Sequence, residues 1–410
     1  MTFIKQYFIY FVHGVVSAFI VFMFVMIYQS KQESKIMKTP IVRGNPEVAT
    51  EEEKSTIESS EAITPGEPTV RAKKPSFSGK TIYVAIGGDD GDSGDSQETA
   101  LKTIQKAVDI AQPGEMIYLL PGAYFQDAVS KRSGTVANPI IIKGEKNAIV
   151  RGGGNSRIFE INHNYITLEG FTIDGLHGGG GSEKDYRDKL IYIISKTAGK
   201  GVTGVKILSL SLKNAGGECI RLRYFASRNE IAYNTITRCG VFDFGFDAGG
   251  KNGEGVYIGT APEQTDDGRS PTSDPDQSNN NHVHHNTIDT QGNECVDIKE
   301  GSSGNIIEYN NCTGQKDPES GGMDSRGNKN VFRYNQIKGN RGAGVRLGGD
   351  EDSDGIDNDV YGNVIIDNAA GGIKFQRKPQ GRICDNKMEG NTGGDAVGSY
   401  KKDFKPTDSC

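Results

Sequence analysis

The sequence contains no tryptophan and only 14 prolines in 410 residues, so Tyr and Phe are its only large aromatic rings. It has no excess of basic residues. The net charge is −6 at neutral pH, and nothing in that balance favours a nucleic-acid partner. Its 55 glycines follow no collagen period, which leaves tight turns as their use. Long apolar runs are missing except for Tyr7 to Tyr28, which is broken only by His13 and is long enough to span a bilayer. Helical periodicity is missing between the repeats of the second half, and this excludes an alternation of strands and helices there.

What is present is a repeat. The template is an Asn, an apolar residue two later, a second Asn three after that, and a further apolar residue two on. It reads Asn229-x-Ile231-x-x-Asn234-x-Ile236, then Asn281-x-Val283-x-x-Asn286-x-Ile288. Further copies begin at Asn305, Asn330 and Asn358, and a partial copy runs Ile383-x-x-Asn386-x-Met388. Copies at intervals of about 20–50 residues mark a solenoid. Short period-2 strands joined by Gly and Asn turns fit the rungs of a parallel β-helix. The column Asn234, Asn286, Asn310, Asn335, Asn363, Asn386 is expected to be a structural hydrogen-bonded ladder.

Four segments follow from composition. Residues 1–30 are expected to form an uncleaved membrane anchor, since no clear cleavage site follows the apolar run. Residues 31–79, rich in Glu, Ser, Thr, Pro and Lys, read as a flexible linker. Residues 80–398 form the β-helix domain and 399–410 a tail. Lys31, Lys35, Lys38 and Arg43 follow the span while only Lys5 precedes it, so the flanking charges alone place the C-terminal side in the cytoplasm. Large domains translocate despite such charge, and an extracytoplasmic solenoid on a single-pass anchor is the expectation. A monomer is expected.

The solenoid should open with a strand at Thr81 and a helix over Ala100 to Gln112. Ile104, Ala107, Val108 and Ala111 would form its buried face, covering the first coil. Among the cysteines only Cys384–Cys410 is a plausible bridge. Cys312 is expected to be a buried free thiol, and Cys219 and Cys295 lie too far apart to pair.

Aligned coils expose a candidate site. The strands read Glu218-Cys-Ile-Arg-Leu-Arg223, Glu254-Gly-Val-Tyr-Ile-Gly259, Glu294-Cys-Val-Asp-Ile-Lys299, Ala343-Gly-Val-Arg-Leu-Gly348 and Gly371-Gly-Ile-Lys-Phe-Gln376. Alternation points Arg221, Tyr257, Asp297, Arg346, Lys374 and Lys299 outward. Long segments at 175–189, 260–280, 314–322 and 348–357 would supply groove walls or solvated loops. Glu218, Glu254 and Glu294 would stack. Such carboxylates need an Arg, a shared proton or a cation, and Ca2+ suits them. Asp350-x-Asp352-x-Asp354 resembles the start of a Ca2+ loop but lacks its closing Glu, and His282, His284 and His285 read as surface residues.

The opening block from Tyr83 to Tyr124, with Gly-Gly-Asp-Asp-Gly and Leu-Leu-Pro-Gly-Ala-Tyr, resembles the amino-terminal cap of the right-handed parallel β-helix superfamily of pectate and alginate lyases. Glu294-x-x-x-x-Lys299, then Arg326-Gly-Asn328 and Gly344-Val-Arg346, resembles the alginate lyase and chondroitinase B family. That resemblance implies Lys299 as base, Arg326 as its helper and Glu294 as a Ca2+ ligand. Arg346 would join them, with Tyr257, Asp297, Lys374 and Arg221 on the substrate and Glu254 and Glu218 beside the metal. The family carries a second Glu where this chain has Gly292. No paired-Asp arrangement of a polygalacturonase is evident. The expected activity is β-elimination on an acidic, uronate-containing polysaccharide. A non-catalytic glycan-binding surface protein and a uronate C5-epimerase are the alternatives.

Overall fold

The computed structural model describes residues 79–410. Both the anchor expected over 1–30 and the linker expected from 31 onward lie outside the described residues, apart from Gly79. Among the described residues, no helix is long and apolar enough to cross a membrane.

Three parallel sheets of 11, 10 and 10 strands run through the described residues. Each coil visits the first, second and third sheet in turn, as in Thr287–Asp289 of the second sheet leading to Val296–Ile298 of the third. Sequence period fixes which face is which. Ile207, Ile231, Val283, Ile307, Phe332 and Val360 stack in register inside the first sheet, and all are buried. Leu212, Ile236, Ile288, Cys312, Ile337 and Ile365 do the same in the second. Burying each large apolar side chain contributes about 1.5–3 kcal/mol.

Corners are held by asparagine. The Oδ1 of Asn286 accepts from the backbone N and the Nδ2 of Asn234, at 3.0 and 2.9 Å. Its own Nδ2 donates to the Oδ1 of Asn310 at 2.9 Å. The expected column therefore exists, from Asn234 to Asn386. Two further columns accompany it, Asn229–Asn281–Asn305–Asn330 and Asn340–Asn368–Asn391. The residue before the main column turns through the left-handed region at Tyr233, His285, Tyr309 and Tyr334. Their rings stack 5.0–5.2 Å apart. Gly362 ends that stack (φ +66°), where a Cβ would lie 2.7 Å from the Tyr334 ring.

The cap helix is shorter than its periodicity implies, Ile104–Ile110. Thr103 caps it by accepting from the backbone N of Lys106, and the carboxylate of Asp90 ties down the N–H groups of Lys102 and Thr103. Ile104, Ala107 and Val108 are buried on the strands of the first coil, as the pattern required. At the other end, Phe404 stacks on Phe375 with ring centroids 4.1 Å apart, so the tail closes the last coil.

The cysteine expectations need correction. Cys384–Cys410 forms, but so do Cys219–Cys239 and Cys295–Cys312, and no described cysteine is free. Cys312 is on its inward column, yet it is bonded and not a thiol. Cys295 precedes a third-sheet strand and Cys312 lies in the second-sheet strand of the next coil. Closed turns bring their Cα atoms to 5.8 Å, inside bridging range. Replacing Asn286 by Ala should cost about 2–3 kcal/mol, because buried N–H groups of Asn234 lose their acceptor. Urea unfolding measures this, and an unchanged midpoint would remove the ladder from the account.

Candidate functional site

The third sheet carries the candidate residues on its outer face. Its register places Tyr192, Arg221, Tyr257, Asp297, Asp324, Arg346 and Lys374 in one column, on consecutive strands. Consecutive coils lie about 4.8 Å apart. Seven of the ten expected residues are buried as well as aligned. Glu218, Arg221, Glu254, Tyr257, Glu294, Asp297 and the mostly covered Lys299 form a floor shielded from water, not a solvated face.

Sequence alignment missed one strand, Gly321–Ser325, which carries Asp324. Its inward positions are Met323 and Ser325 in place of β-branched residues, so it reads as part of the loop expected over 314–322. The signal that could have found it is the count of rungs, since each Asn pair needs a third-sheet strand after it. With Asp324 included, two aspartates sit side by side in register, Asp297 and Asp324.

Charge on this floor does not balance. Lys299 Nζ is 2.8 Å from Asp297 Oδ2, and the guanidinium of Arg346 pairs with Asp324. Among the described residues, Glu254 and Glu294 have no cation of their own, since Lys299 and Arg346 pair with the aspartates. Ser320 donates to one oxygen of Glu294. Glu294 Oε2, Asp297 Oδ1 and Asp324 Oδ1 are buried without a hydrogen-bond partner. Burial, then the neighbouring Glu218 and Asp297 charges, pushes Glu254 up to about 8. Burial, then Asp297 and Glu254, raises Glu294 well above the usual carboxylate range. Burial works against the Lys299 ammonium, but Asp297, Tyr257 and Glu294 outweigh it and hold its proton affinity well above that of a free lysine. The depressed lysine that a ready general base requires is not what the free protein presents.

Oxygens of Glu254, Glu294 and Asp297 lie within 4.8 Å of one another, a spacing that one divalent cation can bridge. Orphaned oxygens on Glu294 and Asp297 fit such an ion, so these residues could hold Ca2+. Glu218 stands apart. Lys189 and Arg221 pair with it at 2.7 and 2.8 Å and, against burial, draw it down to about 2. The second Glu of the family pattern has no room, because a Cβ on Gly292 would meet the Cys239 carbonyl oxygen at 2.3 Å.

Arg326 is held in the wall by Glu300 (Nε–Oε1 2.5 Å) and by Asp350. Three of the long segments do reach the candidate residues and their neighbours. Gln264 and Asp267 hold Arg221 and Arg223, the Glu319 carbonyl accepts from Lys374 at 2.8 Å, and Asp350 holds Arg326. Tyr257 lies in register between Arg221 and Asp297, with Arg221 3.5 Å and Lys299 4.9 Å from its ring centre. Asp352 and Asp354 gather no shared ion site, with Asp352 3.6 Å from Arg377. The histidines lie on the first sheet, where His282 meets Glu308 and His284 meets Glu230.

No protein-family profile and no curated protein matches the sequence. Solved structures do match. An alginate lyase from Paenibacillus sp. str. FPU-7 superposes with a TM-score of 0.56 at 18% identity, over 77% of this chain and 99% of its own. The fold is the right-handed parallel β-helix. A lacto-N-biosidase from Eubacterium ramulus shares this β-helix with a TM-score of 0.53 at 14% identity, over 78% of this chain and 68% of that one. The PL6 family alginate lyase AlyGC gives 0.50 at 14% identity, over 77% and 40%. At these identities the likeness is one of architecture.

The raised carboxyls give a pH test. A carboxyl that holds its proton more tightly folded than unfolded favours the folded state at low pH. Its contribution falls as pH rises from about 4.5 to about 8. In chelator, the β-helix should lose a few kcal/mol over that window, and Glu254→Gln should flatten the slope. A slope that Glu254→Gln leaves untouched assigns the titration elsewhere.

Proposed function

We propose that the β-helix binds an acidic, uronate-containing polysaccharide along its third sheet and cleaves it by β-elimination. The observation that carries this reading is the buried floor where Lys299, Asp297, Asp324 and Arg346 meet two further carboxylates. Lys299 takes the C5 proton of a uronate residue. The electrons of that C–H bond form the C4–C5 double bond, and the glycosidic oxygen leaves C4. That oxygen needs a proton, which the Asp324 carboxyl is able to supply, because burial raises its proton affinity. Arg346 faces the uronate carboxylate, with Arg326 assisting from the wall, and Tyr257, Asp297, Lys374 and Arg221 line the chain's path.

Glu254, Glu294 and Asp297 would hold Ca2+. The ion would neutralise charge that develops on the uronate and compete with Lys299 for Asp297. That competition matters, because Lys299 must shed its proton before it can accept another. Glu218 is better used by Lys189 and Arg221 than by a metal. Three disulfides favour an oxidising compartment, in keeping with an extracytoplasmic location for the β-helix.

A second reading rests on Asp297 and Asp324. Two carboxyls on neighbouring strands, one held by a lysine and one with raised proton affinity, form the kind of pair that hydrolyses glycosides. One assay separates the readings. Alginate, polygalacturonate and chondroitin are incubated with the protein in Ca2+ or in chelator. β-Elimination yields ultraviolet-absorbing unsaturated ends, with activity lost in chelator and lowered at least ~100-fold by Lys299→Ala. New reducing ends without absorbance select hydrolysis, with Asp324→Asn inactive. Activity that survives Lys299→Ala removes the first reading, and binding without product leaves a glycan-binding protein.

A further inference from the structure

A groove on the outer face of the first sheet lies apart from the carboxylate floor. It holds roughly 1780 Å³, open solvent at its mouth included. It crosses five consecutive strands, from Met116–Leu119 to Glu230–Ala232, and so runs about 19 Å along the solenoid at about 4.8 Å per coil. Alternation puts polar side chains on such a face, and later coils obey, with His282, His284, Glu308 and Arg333 outward. The early coils do not. Met116, Tyr118, Ile141 and Leu208 line the groove instead. At its rim stands Val136, the most exposed large hydrophobic side chain among the described residues at 81%. Its turn is braced, because Thr135 N donates to the Asn138 carbonyl and Asn138 N to Thr135 Oγ1, both at 3.0 Å. A contiguous apolar surface held open to water in this way marks a place where something binds.

Two tyrosines bound the groove, one at each corner. Tyr233 heads the ring stack. His285 covers one of its faces with centroids 5.0 Å apart, but the coil before it carries Ser209 at that corner, so the other face opens toward the groove. The Tyr165 ring lies over Gly204, where a Cβ would come 2.3 Å from it. Charge plays a small part between them. The cations lining the groove are Lys143 and Lys206, and each meets an acid that also lines it, Glu169 at 2.8 Å and Glu230 at 2.6 Å. Lys146, beside the groove, is held on the Ser209 carbonyl. The floor's backbone groups are spent in the sheet, so an extended peptide finds no strand edge to join. A sugar chain needs none. Its pyranose faces suit an open aromatic ring and an apolar floor, and its hydroxyls suit the paired charges and Ser209.

We propose that the first-sheet groove is a second, non-catalytic glycan-binding site, which holds a polysaccharide by its pyranose faces and hydroxyls and not by its charge. It stands on a different sheet from Lys299 and does not require the carboxylate floor to be catalytic.

Native gels of the full chain, cast with a soluble β-1,4-glucan, xylan, galactomannan or alginate, test the site without turnover. At least one of the three neutral polymers should retard the protein, with an apparent Kd that changes less than about twofold between low and high salt. Tyr233→Ala should weaken that retardation about tenfold, whereas Tyr233→Phe, which keeps the ring, should preserve it. Ile141→Asp should weaken it too, by placing a charge on the apolar floor. Tyr309→Ala is the control for the ring stack. Both faces of that ring are already covered, by His285 and Tyr334, so its loss should leave retardation unchanged. Retardation by none of the neutral polymers, or equal losses in Tyr233→Ala and Tyr309→Ala, overturns the proposal. Self-association without glycan that Val136→Asp abolishes gives the groove to a second copy of the chain and overturns it as well. No arm of the test depends on unsaturated product, so the lyase reading stands or falls separately.

Discussion

Vertical alignment is the constraint on which everything else depends. A parallel coil can stack only if every buried corner finds hydrogen-bond partners on the coil below, and asparagine supplies them with one side chain. Each Oδ1 takes two N–H groups from the neighbouring rung, as Asn286 does for Asn234. This locks register, and register decides function here. A one-residue slip would turn the outward column inward and bury Arg346 where Val345 now packs.

The locked register turns a sequence column into a spatial line. Glu218, Glu254 and Glu294 then face one another across rungs, and so do Asp297 and Asp324. In solution such carboxylates would turn away from each other. On the sheet they cannot, and their mutual repulsion is relieved by protons, by Lys189 and Arg221, or by an added cation. The floor is thus a store of unfavourable electrostatics that only a rigid scaffold sustains. Gly292 shows how tightly the scaffold fits, since the Cys239 carbonyl occupies the space a side chain would need.

Much of this was legible in the sequence, for physical reasons. The Asn pairs and the apolar residues between them announce the rungs, because only stacking gives those residues partners. The helix face over Ile104 and Val108 was readable from its period. Its early residues were not, because Asp90 captures their N–H groups from a distant turn. Outward positions such as Arg221, Tyr257 and Lys299 followed from alternation alone. Asp324 did not, since Met323 and Ser325 hide its strand. The two inner disulfides were missed because they join the entry of a third-sheet strand to the second-sheet segment of the next coil, a closeness visible only once the coils are wound. Alternation also set Asp297 beside Lys299, where a carboxylate opposes a lowered proton affinity, and the 2.8 Å contact makes that opposition direct.

The two inner disulfides have a mechanical consequence. A stack whose rungs touch only their neighbours melts like a zipper, from its ends inward. Cys219–Cys239 and Cys295–Cys312 each rivet one rung to the next immediately beside the carboxylate column, at Glu218 and at Glu294. Fraying that advances from either end must stop at these rivets before it reaches Asp297. The rungs from Glu218 to Asp297 should therefore keep their shape while rungs outside them, those of Arg346 and Lys374 included, have already come loose.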